Sequence, residues 1–111
     1  MQIQTQRKGA VTIVSPEGPL LEADAEQIKR ALLDTSAETL GRVVLDMEQI
    51  HFVDSRGLEV LVEVTEEMSE SGQALKLCAA NKTVREVLEL TELAPLFEHF
   101  EDVGSAARSF L

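Results

Sequence analysis

Short apolar runs alternate with segments of helical period along most of the chain, and this alternation narrows the fold more than any single motif does. Val43-Val44-Leu45 is apolar on both strand faces, the mark of a central strand covered on two sides. Before it, Leu21, Ala25, Ile28 and Leu32 recur at helical spacing, with Glu22, Asp24, Glu26, Lys29 and Arg30 between them. Further upstream, Ile3–Gln6 and Val11–Val14 read as two strands around a Lys8-Gly9 turn. Ser15-Pro16-Glu17-Gly18-Pro19 reads as a loop that no strand interior would accommodate. Ile50–Val53 leads into a second helix running to about Ser71, with Gly72 as its C′ residue. Leu75–Ala79 is a strand, and Asn81 caps a third helix with Val84, Val87, Leu88 and Thr91 on one face. Phe97–Phe100 is a short strand, and Asp102 opens a last helix with Val103, Ala107 and Phe110 inward. Phe97, Phe100 and Phe110 are expected to anchor that terminal strand and helix.

The resulting order, β-β-α-β-α-β-α-β-α, predicts an α/β fold with right-handed crossovers. Its sheet is mixed but mostly parallel, with four to five strands, an N-terminal β-hairpin at one edge and about four helices. No repeat, low-complexity tract or linker divides residues 1–111, so a single domain is expected.

Charge excludes several classes of partner. Twenty Asp and Glu stand against ten Lys and Arg, a net charge of −10, and the cations are scattered, at most in pairs such as Arg7-Lys8 and Lys29-Arg30. A chain of this kind lacks the footprint of a nucleic-acid binder and is repelled by an anionic membrane surface. Cys78 is the single cysteine, so no internal disulfide or CxxC pair can form. The N-terminus lacks a signal peptide's pattern and no apolar stretch reaches the length of a membrane span, which places the expectation in the cytoplasm.

The search for catalytic chemistry comes out empty. There is no GxxxxGK[ST] phosphate loop and no GxGxxG after a strand. His51 and His99 stand in no metal-ligand spacing, and Cys78 lies in an apolar strand as a buried, inert thiol. A response-regulator receiver would need an acidic pair after its first strand, where this chain has Gln6-Arg7-Lys8. Neither enzymatic activity nor a cofactor nor a metal is expected.

The most informative stretch is His51-Phe52-Val53-Asp54-Ser55-Arg56-Gly57-Leu58. Physically it is the passage from a buried strand into a helix, with Ser55 at or next to the N-cap, where a serine oxygen accepts an amide of the first turn. In that helix Leu58, Leu61, Val62, Thr65 and Met68 form one apolar stripe, read as core. Val60 and Val64 lie off it among Glu59, Glu63, Glu66, Glu67 and Glu70. Apolar residues on that second face point to partner contact, unless a further packing helix covers them.

Phe52-Val53-Asp54-Ser55-Arg56-Gly57-Leu58 resembles the D-S-[ST]-G-L signature of the STAS family, the domain shared by sulfate transporters and anti-sigma factor antagonists. Gly18, Ala25 and Ile28, then Val43-Val44-Leu45-Asp46, Gly72, Leu75 and Leu77 also fit the family's pattern. So do Val84, Leu88, Leu93 through Phe97, and Ala106-Ala107. The resemblance implies a protein-binding module whose Ser55 is phosphorylated by an anti-sigma factor that is also a serine kinase, with a phosphatase restoring it. The implied contact set is Asp54, Ser55, Arg56, Gly57, Leu58, Glu59, Val60 and Glu63. The chain departs from the signature at Arg56, where Ser or Thr is usual. It departs again at Glu59 after Gly57-Leu58, and at Leu21, where antagonists commonly carry Asp after the second strand. Arg56 is expected to pair with a phosphate on Ser55 or with a carboxylate across an interface.

Two other readings remain open from the sequence. One is a non-phosphorylated STAS subunit of a stressosome-like scaffold or lipid-transport complex; the other, resting on fold analogy alone, is a small-ligand sensor. In either regulatory reading the charge beside Ser55 predicts a basic or amphipathic partner and salt-sensitive association. With only core-type Phe as aromatics, binding around Ser55 is expected to use aliphatic and charged groups.

Overall fold

The structure, a computed structural model, describes residues 1–111. Five strands lie in the order β1-β2-β3-β4-β5, so chain neighbours are also sheet neighbours. β1 (Gln2–Lys8) pairs antiparallel with β2 (Val11–Glu17), while β3 (Val43–Asp46), β4 (Lys76–Cys78) and β5 (Glu98–Phe100) follow in parallel. The helices are α1 (Ala25–Thr39), α2 (Ser55–Ser69), α3 (Lys82–Leu90) and α4 (Val103–Arg108), with single 3-10 turns at Glu22–Asp24 and Ala94–Leu96. The mixed, mostly parallel sheet with a hairpin edge and four helices matches the expected fold class. No helix is long and apolar enough to cross a membrane.

β3 sits at the centre of the sheet, and Val43, Val44 and Leu45 are all fully buried. The two faces they reach are unequal. Nineteen buried residues form the core under α1, α2 and α3, including Ile28, Leu32, Leu61 and Leu88. Only five, Val11, Ile13, Val44, Cys78 and Ala106, form the core under α4. The larger core carries most of the apolar area removed from water, and with it most of the hydrophobic stabilisation.

Several local expectations are corrected. Ser15, Pro16 and Glu17 belong to β2, not to a loop. β3 pairs with β2 only as far as Val14, so Pro16 has a strand on one side alone, an edge environment that tolerates its missing N–H. α2 ends at Ser69 with Glu70 as C-cap, so Gly72 falls one residue beyond C′, although it does take the left-handed conformation (φ 75°). In α4 Val103, Ala107 and Phe110 do pack inward, half-buried, but the fully buried residue among them is Ala106. A small side chain is what lets a short helix approach the sheet closely.

Phe97 is buried, as an anchor should be, but Phe100 and Phe110 do something the sequence did not announce. They flank the ammonium of Lys76, a buried lysine on β4, at 5.5 and 3.9 Å from the ring centroids. Ser109 accepts a hydrogen bond from the same ammonium and Glu98 pairs with it at 3.7 Å. The C-terminal segment is thus fixed by a satisfied cation between aromatic faces, not by apolar contact alone.

Candidate functional site: the start of the second helix

The connections leaving β2 and β3 run side by side, and this sets where α2 begins. Leu20 N–H donates to the Phe52 carbonyl at 2.9 Å and Asp54 N–H to the Leu20 carbonyl at 3.1 Å, around a parallel bridge between Leu20 and Val53. The Asp54 side chain then closes the corner. Its Oδ1 accepts the Gly57 N–H at 2.8 Å as the helix N-cap, and its Oδ2 accepts the Glu22 N–H at 2.9 Å from the neighbouring 3-10 turn. These amides stabilise the ionised form, Gly57's foremost, and hold the Asp54 carboxyl below the usual aspartate range.

Asp54, therefore, is the N-cap, and Ser55 is the first helical residue. The capping role considered for Ser55 falls to its neighbour, whose carboxylate is the stronger acceptor for an amide. Ser55 is exposed and its hydroxyl takes no part in the cap.

Gly57 is buried under this corner. A Cβ there would lie 2.4 Å from the Leu20 carbonyl oxygen and 2.9 Å from Leu20 Cγ, so close approach of two backbones requires glycine. That contact also sets the rotation of α2. Gly57, Val60, Leu61, Val64, Thr65 and Met68 face inward, and Val60 and Val64 are fully buried. The expectation that Val60 and Val64 touch a partner is thereby corrected: both are core. Glycine carries no hydropathy signal, so a periodicity counted from Leu58 starts in the wrong phase. Leu58 and Val62 lie half-buried at the border of the core.

Arg56 also turns out differently. Its guanidinium faces its own chain, with Nη2 2.9 Å from Glu26 on α1 and Nη1 2.8 Å from Glu63 and in contact with Glu59 on α2. Lys29 on α1 holds the other oxygen of Glu63 at 3.0 Å. The Lys29 and Arg56 bonds lower the Glu63 carboxyl, and Glu63 in turn raises Arg56 and Lys29. Sequence reasoning missed Glu26 and Lys29 as neighbours of the site, and no local signal marked them, because they lie about one helix and one strand upstream. It also took every Phe for core, whereas Phe52 beside the site is 50% exposed.

Elsewhere the structure offers little chemistry. Burial, with Asp46 nearby, pushes the Cys78 thiol up to about 12, far from a reactive thiolate at neutral pH. His51 and His99 are exposed and separate, and no group of three His, Cys, Asp or Glu is placed to hold a metal ion. A groove of about 440 Å³ lies between the C-terminal halves of α1 and α2, lined by Leu33, Ala37, Leu40 and Met68 among others. That is the opposite end of those helices from Ser55.

The family model for the STAS domain matches residues 2–106. A curated relative, "Putative anti-sigma factor antagonist BtrV" of Bordetella bronchiseptica, is 27% identical over 110 residues, covering 99% of this chain and 95% of that protein. The crystal structure of a "putative anti-sigma factor antagonist" from Thermotoga maritima superposes with a TM-score of 0.85 at 23% identity, covering 96% of this chain and 92% of that one. The Bacillus cell fate determinant SpoIIAA in its phosphorylated form superposes with a TM-score of 0.74 at 17% identity, covering 99% and 100%. At these identities the two structures speak for the fold.

Proposed function

The chain belongs to the STAS domain family, and on that premise we propose that it is a cytoplasmic, non-enzymatic regulator of the anti-sigma factor antagonist type. Ser55 is its switch, phosphorylated by a partner anti-sigma factor with serine kinase activity and restored by a phosphatase. The single observation that carries this reading is the placement of Ser55. It is exposed at the first helical position, beside an N-cap already supplied by Asp54.

The physical consequences follow from that placement. A phosphoryl group adds about −1.5 to −2 charges at pH 7 and meets the amide ends and dipole of α2, which favour an anion. The fold tolerates it, and what changes is the surface a partner must desolvate. A penalty of about 2–3 kcal/mol at an interface centred there weakens binding roughly 30- to 150-fold. The contact set in this reading is Asp54, Ser55, Arg56, Leu58, Glu59 and Glu63, with Phe52 added and the buried Gly57 and Val60 removed. The partner presents cations and an apolar patch, and association weakens with salt.

Incubation with ATP and an active cognate kinase, followed by intact-mass measurement and peptide mapping, tests the proposal. The expected result is one added phosphoryl group on Ser55, absent in Ser55→Ala. An unmodified Ser55 beside a kinase that modifies a control substrate overturns it. The second reading, a non-phosphorylated STAS subunit of a scaffold or lipid-transport complex, is favoured by one observation. Arg56, the cation nearest Ser55 in sequence, is already occupied by carboxylates. Full function of Ser55→Ala within a stoichiometric complex would select it.

A further inference from the structure

Arg56 is the only cation on α2, and it follows Ser55 directly. A phosphate on Ser55 would ordinarily recruit such a neighbour as a bidentate partner, and an arginine so recruited would cancel part of the new charge. Here three of its five N–H donors are already engaged by carboxylates. Glu26 accepts from Nη2 at 2.9 Å, Glu63 from Nη1 at 2.8 Å, and Glu59 shares Nη1. Glu59 and Glu63 lie one and two turns beyond Arg56, so the guanidinium is drawn along the helix away from its first residue. The other cation of the cluster, Lys29, is engaged by Glu63.

We propose that Glu26, Glu59 and Glu63 form an insulating clasp that withholds Arg56 from a phosphate on Ser55, so that the full phosphate charge is presented to the partner. The inference rests on Ser55 being the modified residue and concerns how large the resulting signal is. Three carboxylates hold one guanidinium through bonds that reach both α1 and α2. Swinging the guanidinium towards the phosphate trades contacts to Glu59 and Glu63, which lie further along the helix, for one new pair. Each contact is a partly exposed pair of modest strength, and it is their number on one fork that decides the competition. Asp54, adjacent to Ser55, is anionic as well and adds to the field that the partner meets.

The test installs phosphoserine at position 55 of the full chain during translation, so it proceeds whether or not a kinase is known. The phosphate's second ionisation is followed by phosphorus NMR in low salt. In the clasped protein, Arg56→Gln is expected to raise that ionisation only slightly, through the carboxylates it leaves unscreened. Replacing the clasp by Glu26→Gln, Glu59→Gln and Glu63→Gln together is expected to lower it by about half a pH unit, as the freed guanidinium pairs with the phosphate. Adding Arg56→Gln to that triple variant should abolish most of the drop.

An upward shift of similar size from Arg56→Gln alone would overturn the proposal, because Arg56 would then already neutralise the phosphate. So would a triple variant with no drop, or with a drop that survives loss of Arg56 and so reflects only the missing carboxylates. Failure of kinase labelling leaves these outcomes intact, which separates this inference from the proposed function. Circular dichroism of each variant confirms that the surface changes leave the fold in place.

Discussion

α2 and α3 begin in nearly the same way, and only one of them forms a candidate site. Each has an Asx N-cap accepting the N–H three residues on, at 2.8 Å in both: Asp54 from Gly57, Asn81 from Val84. Each cap also reaches a neighbouring loop, Asp54 to the Glu22 amide at 2.9 Å and Asn81 to the His51 carbonyl at 3.1 Å. The difference lies at the third helical residue. α3 docks there with a side chain, the buried Val84, whereas α2 docks with the absence of one, Gly57 against Leu20. The glycine lowers the start of α2 onto the neighbouring backbone while Ser55 stays exposed outside it. A cap makes a helix start; what lies beneath the first turn decides whether that start can act as a fixed platform.

The comparison can be broken most forcefully at those two third positions. Gly57→Ala adds one methyl against a carbonyl oxygen that cannot move without disturbing the Leu20–Asp54 bond, and should cost about 3 kcal/mol in denaturant unfolding. Val84→Ala removes volume instead and should cost about 2 kcal/mol. A Gly57→Ala variant as stable as wild type would mean that the corner is not tightly packed.

The caps come next. Asn81→Ala should cost about 1 kcal/mol, the ordinary value for a lost N-cap. Asp54→Ala should exceed it, because two amides lose a charged acceptor and the link between the 3-10 turn and α2 is broken. Equal effects in equilibrium unfolding would erase the distinction between the two helix starts.

The smallest effect sharpens the contrast through pH. Asp54 has its folded pKa lowered, so its contribution is fully present above the unfolded value of about 4 and is lost as pH falls through the folded one. The stability difference between wild type and Asp54→Asn should therefore shrink as pH drops below about 4, measured by urea unfolding at several pH values. The neutral Asn81 cap has no such dependence, so Asn81→Ala should cost the same across that range. A difference independent of pH at position 54 would contradict the ionised cap.

Much of this architecture was legible because its signals are local. Asn81 and Asp102 announce their helices by residue type, and each accepts the amide three residues on. The apolar triplet Val43-Val44-Leu45 marks the central strand because a strand covered on both faces has no polar side to show. The candidate site was legible as a helix start carrying Ser55, but its parts were assigned to the wrong groups. Which of two adjacent oxygens caps, Asp54 or Ser55, depends on how the loop enters from Leu20. Val60 and Val64 were read outward because the phase of α2 hangs on a glycine that hydropathy cannot weigh. Lys76 between two Phe rings left no trace in a pattern that treats lysine as surface.

By itself the sequence determined the order of elements, the hairpin edge, the parallel core and a serine at the opening of α2. Those follow from backbone preferences, side-chain period and caps, all of which act within a few residues. Only the tertiary structure decided the rotation of α2, the place of Pro16 in a strand, and the partners of Arg56. These depend on groups brought together from distant parts of the chain. Arg56 meets Glu26 across 30 residues and Pro16 pairs with Ile3 across a hairpin. Such encounters are fixed by packing against the sheet, where close contact and excluded volume, not local propensity, select the outcome.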